Sequence, residues 1–306
     1  VHLHTYMGVY EIRDRDEAVS IMVDKANIAA DTIKNNYDCC VAYYDEHLLE
    51  ISIEQRRLLG EFEPALQNDE FVMYLQPQVK RDGAAKGAEA LVRWVHPSRG
   101  ILTPYAFIDI LENAGLIYKL DLYIWEKAAQ KLAEWKEKGY GSYHISVNIS
   151  TKDFYIIDIY ETFTGLINKY GIAASNLHLE ITETTLMTDF EKNMNIIHKL
   201  QGVGFRVEID DFGSGYSSLN MLKDISADVL KIDMGFLRKS ENEVKGQDIL
   251  ESIITLAGKI GMDVITEGVE TKKQLDMLTM MGCHEFQGYY FSKPVPVSEF
   301  EEKYLV

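Results

Sequence analysis

The chain has 306 residues, of which 46% are hydrophobic and 26% charged, and its 48 Asp and Glu outnumber 31 Lys and Arg to give a formal net charge of −17. That length accommodates one large α/β barrel with a fragment beside it, or two ordinary domains. Such acidity excludes a protein that tracks DNA or anionic membranes by charge, and an anionic substrate would need help from metal ions or a few well-placed Lys and Arg.

In chain order, 7–12 reads as a strand. Residues 17–35 read as a helix, with Ala26, Ala29 and Ala30 on one face. Tyr43-Tyr44-Asp45 leads into a charged amphipathic helix at 52–66. These elements are too few to close a core, so they are expected to be the end of another domain, joined by that helix to the rest of the chain. From residue 71, β-branched or aromatic runs at 71–79, 87–95, 143–150, 177–184, 206–212, 229–234, 263–269 and 285–291 alternate with helical patterns around 104–138, 153–170, 190–203, 216–224, 245–261 and 271–281. Strands alternating with helices in this way predict a barrel of mostly parallel strands wrapped in helices. One connection differs. Only 80–86, carrying Asp82-Gly83, separates the first two runs, and a loop that short makes a hairpin, so these two strands are expected to be antiparallel.

No run approaches ~18 apolar residues and no signal-peptide pattern opens the chain, so a cytoplasmic location without a membrane segment is expected. The start at Val1, in mid-pattern, suggests a piece of a longer protein. Cys39, Cys40 and Cys283 make neither a disulfide framework nor a zinc spacing, and read as packing thiols of a reducing compartment.

Polar residues near the C-terminal ends of barrel strands line active sites. Here every strand carries one: Gln76, Glu89, Asn148, Glu180, Asp210 with Asp211, Lys231 with Asp233, Glu267 and Gln287. Any one carboxylate alone suits a helix cap or an Arg partner. Five or six gathered in one interior require cations, and oxygen ligands of this kind suit Mg²⁺ or Mn²⁺. Adjacent Asp210 and Asp211 can supply one group bridging two ions and one binding a single ion, as in a two-metal phosphoester hydrolase. The loop 212–219, with Gly213 and Gly215, is either a lid or a helix-capping turn. Lys231 either positions water and meets phosphate charge or pairs with Asp233 or Glu267. The eight histidines, His96, His144, His178 and His198 among them, show no close metal-binding pair and are assigned structural or surface roles. Tyr289, Tyr290 and Phe291 either stack on a base or pack.

These residues spell a family pattern. Glu89-Ala90-Leu91 followed by Val92-Arg93-Trp94 resembles the signature of EAL-domain cyclic di-GMP phosphodiesterases. The similarity continues through Tyr74-Leu75-Gln76-Pro77, Ser146-Val147-Asn148-Ile149-Ser150, Glu180-Ile181-Thr182-Glu183, Asp210-Asp211-Phe212-Gly213-Ser214-Gly215, Lys231-Ile232-Asp233, Glu267-Gly268-Val269-Glu270 and Gln287-Gly288-Tyr289. The resemblance implies an irregular TIM (β/α)8 barrel with an antiparallel first strand, here after a short N-terminal α+β segment. It implies one Mg²⁺ or Mn²⁺ held by Glu89, Asn148, Glu180 and Asp210, and a second held by Asp210, Asp211 and Glu267. A water steadied by Lys231, with Glu267 as a candidate base, would open the ring to linear pGpG. Gln76, Arg93 and Gln287 would contact the nucleotide, and Glu183 would brace the lid.

One departure stands out. Glu208 occupies a position where the common pattern has a small residue such as Ala; its parity with Asp210 points it into the barrel, adding negative charge near the metals. The first part also resembles the end of a GGDEF domain, in Gly8-Val9-Tyr10, 26–34 and 42–45, without the signature itself. The expected layout is a GGDEF-like fragment over 1–51, a linker helix over 52–66 and an EAL domain over 67–306, forming a homodimer through that domain and binding no DNA. The alternative reading is a catalytically silent cyclic di-GMP receptor that signals through its N-terminal segment.

Overall fold

The computed structural model describes residues 5–34, 40–212, 225–233, 235 and 243–305, and the chain divides into two units, Val1–Gln67 and Asn68–Val306. In the first, β1 (Met7–Val9) pairs in parallel with β2 (Val41–Tyr43) across α1 (Val19–Asp31), and α2 (Glu46–Gln67) comes next. Helix α2 starts at Glu46, six residues before the expected 52, because the Asp45 carboxylate accepts a hydrogen bond from the Leu48 amide (3.0 Å) and organises the first turn.

The second unit opens with the hairpin. Strand β3 (Phe71–Lys80) turns into β4 (Ala85–His96), with Gly83 at φ 86° and the Asp82 carboxylate accepting from the Ala84 amide at 3.0 Å. After it come β5 (Gly100–Leu102), α3 (Ile108–Asn113), α4 (Ile117–Glu137), β6 (His144–Ile149), α5 (Asp153–Ile156), α6 (Ile159–Tyr170), β7 (Leu177–Thr182), α7 (Glu183–Thr188) and α8 (Phe190–Val203). The chain continues with β8 (Val207–Asp210), β9 (Val229–Asp233), α9 (Glu243–Lys259), β10 (Asp263–Glu267), α10 (Lys272–Met280), β11 (Glu285–Phe286), β12 (Val295–Pro296) and α11 (Val297–Tyr304).

Strands β3, β4, β6, β7, β8, β9, β10 and β11 form a ring, closed where β11 pairs with β3. Six neighbouring pairs are parallel; β3 alone runs against both its neighbours. This is the irregular (β/α)8 barrel with an antiparallel first strand. The main core lies between ring and helices, where α4 buries Leu120, Ile124, Trp125, Ala128, Leu132 and Trp135 on one stripe.

Several element ends differ from the sequence pattern. The run 177–184 ends as a strand at Thr182, whose hydroxyl accepts from the Thr185 amide and starts α7. The 104–138 pattern breaks at Gly115, φ 69°, into α3 and α4. Of 285–291 only Glu285 and Phe286 are strand, and Tyr289 and Tyr290 are exposed in a turn. The short β5, β12 and α11 lack a distinct pattern in sequence, and the helix read at 216–224 lies outside the described residues. Cys283 is buried, which pushes its thiol pKa up, whereas Cys40 is exposed and is not a packing thiol; Cys39 lies outside the described residues. Among the described residues, no helix is long and apolar enough to cross a membrane.

Candidate active site

The parallel strands bring inward polar residues toward one end of the barrel, because side chains of equal parity face the same way. Register pairs Asn148 of β6 with Glu180 of β7, and Glu267 of β10 with Asp233 of β9. At the centre stands Lys231, fully buried. Its Nζ lies 2.7 Å from Glu267 Oε1, 2.9 Å from Glu180 Oε2, 3.3 Å from Asp210 Oδ1 and 3.5 Å from Glu89 Oε2. The ion pair read as an alternative for Lys231 therefore exists with Glu267, shared among three further carboxylates.

One ammonium among four carboxylates leaves negative charge in excess, and burial makes that excess expensive. The protonation equilibria respond. Burial, reinforced by Glu89, raises Glu180 well above the usual carboxylate range against the pull of Lys231. Burial likewise raises Glu267 to about 8, with Lys231 opposing and Asp210 assisting. Burial alone would lower Lys231, but Asp210, Glu180, Glu267 and Glu89 together hold it well above the usual lysine value. Glu180 Oε1 is buried without a hydrogen-bond partner among the described residues, and buried Asp210 Oδ1 and Glu267 Oε1 have the Lys231 charge beside them but no hydrogen bond of good geometry. Carboxylate oxygens placed so, beside the amide of Asn148, form an oxygen-donor set that a hard divalent cation completes.

The remaining predicted residues gather around this centre to different degrees. Asn148 Nδ2 donates to Glu89 Oε1 at 3.1 Å, and Gln287 Nε2 donates to Glu89 Oε2 at 2.5 Å and to Gln76 Oε1 at 3.3 Å. Gln76, Glu89 and Gln287 are all buried. Arg93 donates to the Val92 carbonyl at 2.7 Å and lies over the Tyr74 ring at 5.4 Å, further along β4 from Glu89. Asp211 sits just past β8 in the left-handed region at φ 56°, exposed, with its pKa raised by partial burial and by Asp210. A non-glycine residue held there is strained, a condition that concentrates at functional sites. Glu183 is the first residue of α7. The segment it was expected to brace, from Gly213 to Leu219, lies outside the described residues.

Two groups went unrecognised in the sequence. Asp153, fully buried, accepts from the Ser150 amide at 2.8 Å, and burial together with Asp153 raises Asp121 well above the usual range. The Ser150-x-x-Asp153 spacing after a strand was the available signal. A cavity of about 290 Å³ lies there, lined by Leu91, Trp125, Asn148, Thr151 and Thr182 among others. Secondly, His144 and His178 are not scattered. Their rings stack 3.8 Å apart, and His178 Nδ1 meets Glu208 Oε1 at 2.5 Å. Parity would have found them, since both lie an even number of residues before Asn148 and Glu180. Glu208 does point into the barrel; burial would raise its pKa, but the His178 hydrogen bond holds it down to about 2.

Residues 60–294 match the family described as EAL domain. The chain belongs to the EAL domain family. Among curated relatives of this EAL chain, the bifunctional diguanylate cyclase/cyclic di-GMP phosphodiesterase MucR of Pseudomonas aeruginosa is 32% identical over 272 residues, covering 89% of this chain and 39% of MucR. The cyclic di-GMP phosphodiesterase PdeR of Escherichia coli is 33% identical over 240 residues, 78% of this chain and 36% of PdeR. The chain thus spans well under half the length of these two relatives. Among solved structures, the PaMucR phosphodiesterase in complex with c-di-GMP superposes with a TM-score of 0.75 at 33% identity, covering 80% of this chain and 99% of that one. An EAL domain protein of Listeria monocytogenes gives a TM-score of 0.66 at 30% identity, covering 80% and 97%.

Proposed function

We propose that this EAL domain hydrolyses cyclic di-GMP to linear pGpG with two divalent ions, Mg²⁺ or Mn²⁺, lowering the level of the second messenger. The observation that carries this reading is Lys231 buried among Glu89, Glu180, Asp210 and Glu267, with carboxylate oxygens left short of hydrogen bonds, in a family whose relatives bear that activity in their names. Glu89, Asn148, Glu180 and Asp210 would hold one ion; Asp210, Asp211 and Glu267 would hold the other. When bound, such ions polarise the phosphoryl group and make water a better nucleophile.

The chain's own groups do the rest. Water adds to phosphorus, the P–O3′ bond breaks, the departing O3′ takes a proton from solvent to become a hydroxyl, and the product keeps a 5′-phosphate. Glu267, the candidate base, takes the proton from the attacking water. Lys231 Nζ keeps a full positive charge beside the phosphoryl oxygens as negative charge builds on them. Asp211 orients the water beside Asp210. The Gln76 and Gln287 amides and the Arg93 guanidinium bind the nucleotide, the cavity beside Asn148, with Leu91 and Trp125 in its wall, is fit for a planar base, and Glu183 supports the site from the first turn of α7. In the same reading, the segment before α2 is the end of a GGDEF-like domain, α2 (Glu46–Gln67) is the linker helix, and the cytoplasmic protein pairs through its EAL domain.

Incubating the chain with cyclic di-GMP and either Mg²⁺ or Mn²⁺, and resolving products by chromatography, should show pGpG that EDTA abolishes. Tight binding with no pGpG under either metal would instead identify a silent receptor.

A further inference from the structure

The barrel has a second polar layer, next to the carboxylate site on the side of the strand starts, where Glu208 pairs in register with Glu180. His144 is the first residue of β6, and His178 and Glu208 are the second residues of β7 and β8. All three share inward parity with Asn148, Glu180 and Asp210, and all three are buried. Each offers one donor atom, and the three atoms lie within 4.8 Å of one another. Gly87 makes the arrangement possible: a Cβ there would come within 2.4 Å of the His144 ring. Glu208 Oε2 is fully buried and has no hydrogen-bond partner among the described residues, although Oε1 accepts from Ser146 Oγ at 3.2 Å and from His178. A charged oxygen buried without a hydrogen-bond partner is costly; the Lys231 charge acts on Glu208 from the carboxylate site, but no hydrogen bond from that site reaches Oε2.

We propose that His144, His178 and Glu208 form a separate metal site for a borderline divalent ion, Zn²⁺ above all, at the floor of the barrel. Two imidazole nitrogens and one carboxylate oxygen suit Zn²⁺ and do not suit Mg²⁺, which takes oxygen ligands. Burial pushes the His144 imidazole well below its usual value, so it is in the neutral form that a metal needs. The site opens into a cavity of about 480 Å³ lined by Lys86, Arg206 and Glu285, which gives an ion a path in. An anion is the poorer occupant, because Lys86 is paired with Glu285 and Arg206 with Asp263 at 2.5 Å, leaving their charge satisfied. The two rings are now parallel to within 4°. Their lone pairs lie in the ring planes, so binding tilts the rings out of the stack, and the ion replaces the proton between His178 Nδ1 and Glu208 Oε1, which goes to solvent. Such an ion would tie together the starts of three adjacent strands.

Calorimetric titration of the whole chain with Zn²⁺ in excess Mg²⁺ tests this independently of hydrolysis. One Zn²⁺ should bind per chain, weakened at least roughly tenfold in Glu208→Ala and in His178→Ala and retained in Asp210→Asn. Unchanged affinity in the first two variants, or loss in Asp210→Asn, would overturn the site. Should the variants fail to fold, X-ray absorption at the zinc edge of the unmutated protein in the same excess of Mg²⁺ decides: two imidazole nitrogens at about 2.0–2.1 Å are expected, and an oxygen-only shell rules the site out.

Discussion

Lys231 has two jobs that pull apart on mutation. In the chain without cations it is the counter-ion of four carboxylates; in the proposed hydrolysis it would meet developing charge. Lys231→Met should therefore destabilise the metal-free protein by about 3–5 kcal/mol, the cost of removing one partner from a buried ion pair, and added Mn²⁺ should recover much of that loss in a urea titration. At saturating Mn²⁺ the same variant should lose roughly 10² in kcat with KM little changed, the mark of an interaction made chiefly in the transition state. Glu267 gives a pH signature. Its folded pKa of about 8 lies above the ordinary 4.5, so its contribution to stability is full below about 4.5 and is lost as pH rises through 8. The melting temperature of the metal-free chain should fall over that window, and Mn²⁺ should raise it more at pH 8 than at pH 5; equal increments would contradict the proposed ligand role. At this scale the sequence was informative about Glu89, Asn148, Glu180, Asp210, Lys231, Glu267, Gln76 and Gln287, because polar residues in or just after β-branched runs face one interior, although Glu89, Gln76 and Lys231 turn out to lie within their strands and not at the ends. It was silent on Asp121, which reaches the buried Asp153 from a helix, and misleading on His144 and His178, since register between strands, rather than spacing along the chain, stacks them.

Strands β6, β7 and β8 are each used twice, with the carboxylate site at their ends and the histidine layer at their beginnings. The second use depends on β4 being thin where it passes His144. Gly87→Ala drives a methyl group into that ring, and an overpacked core position costs about 1–3 kcal/mol; chemical denaturation should show the loss, and an unchanged midpoint would mean that the ring moves aside freely. Element positions were legible wherever β-branched runs met turn residues. Element ends were not. A strand stops at Thr182 because a hydroxyl caps the next helix, and β11 shrinks to two residues because the Gln287 amide still donates to the Thr266 carbonyl (2.9 Å) while the chain turns away at Gly288. Neither event leaves a mark in hydrophobic periodicity.

The whole chain carries a net charge of −17, which gathers divalent cations before any ligand touches them. Mg²⁺ affinity measured by calorimetry should consequently weaken several-fold between low salt and ~0.15 M, where the screening length falls to about 8 Å; insensitivity to salt would show that only the immediate ligands matter. The reversed direction of β3 has a different consequence. Phe71 pairs with Trp94 near the end of β4, and Gln76 pairs with Glu89. The backbone thus comes into the barrel at the mouth that holds the candidate site and runs down toward the floor, where an all-parallel barrel would begin at the floor and climb. The doorway for the polypeptide and the doorway for the substrate are on the same storey. A pull or twist on the chain just before Phe71 would be felt first by Gln76 and Glu89, beside the proposed nucleotide site, with no need to cross the thickness of the barrel.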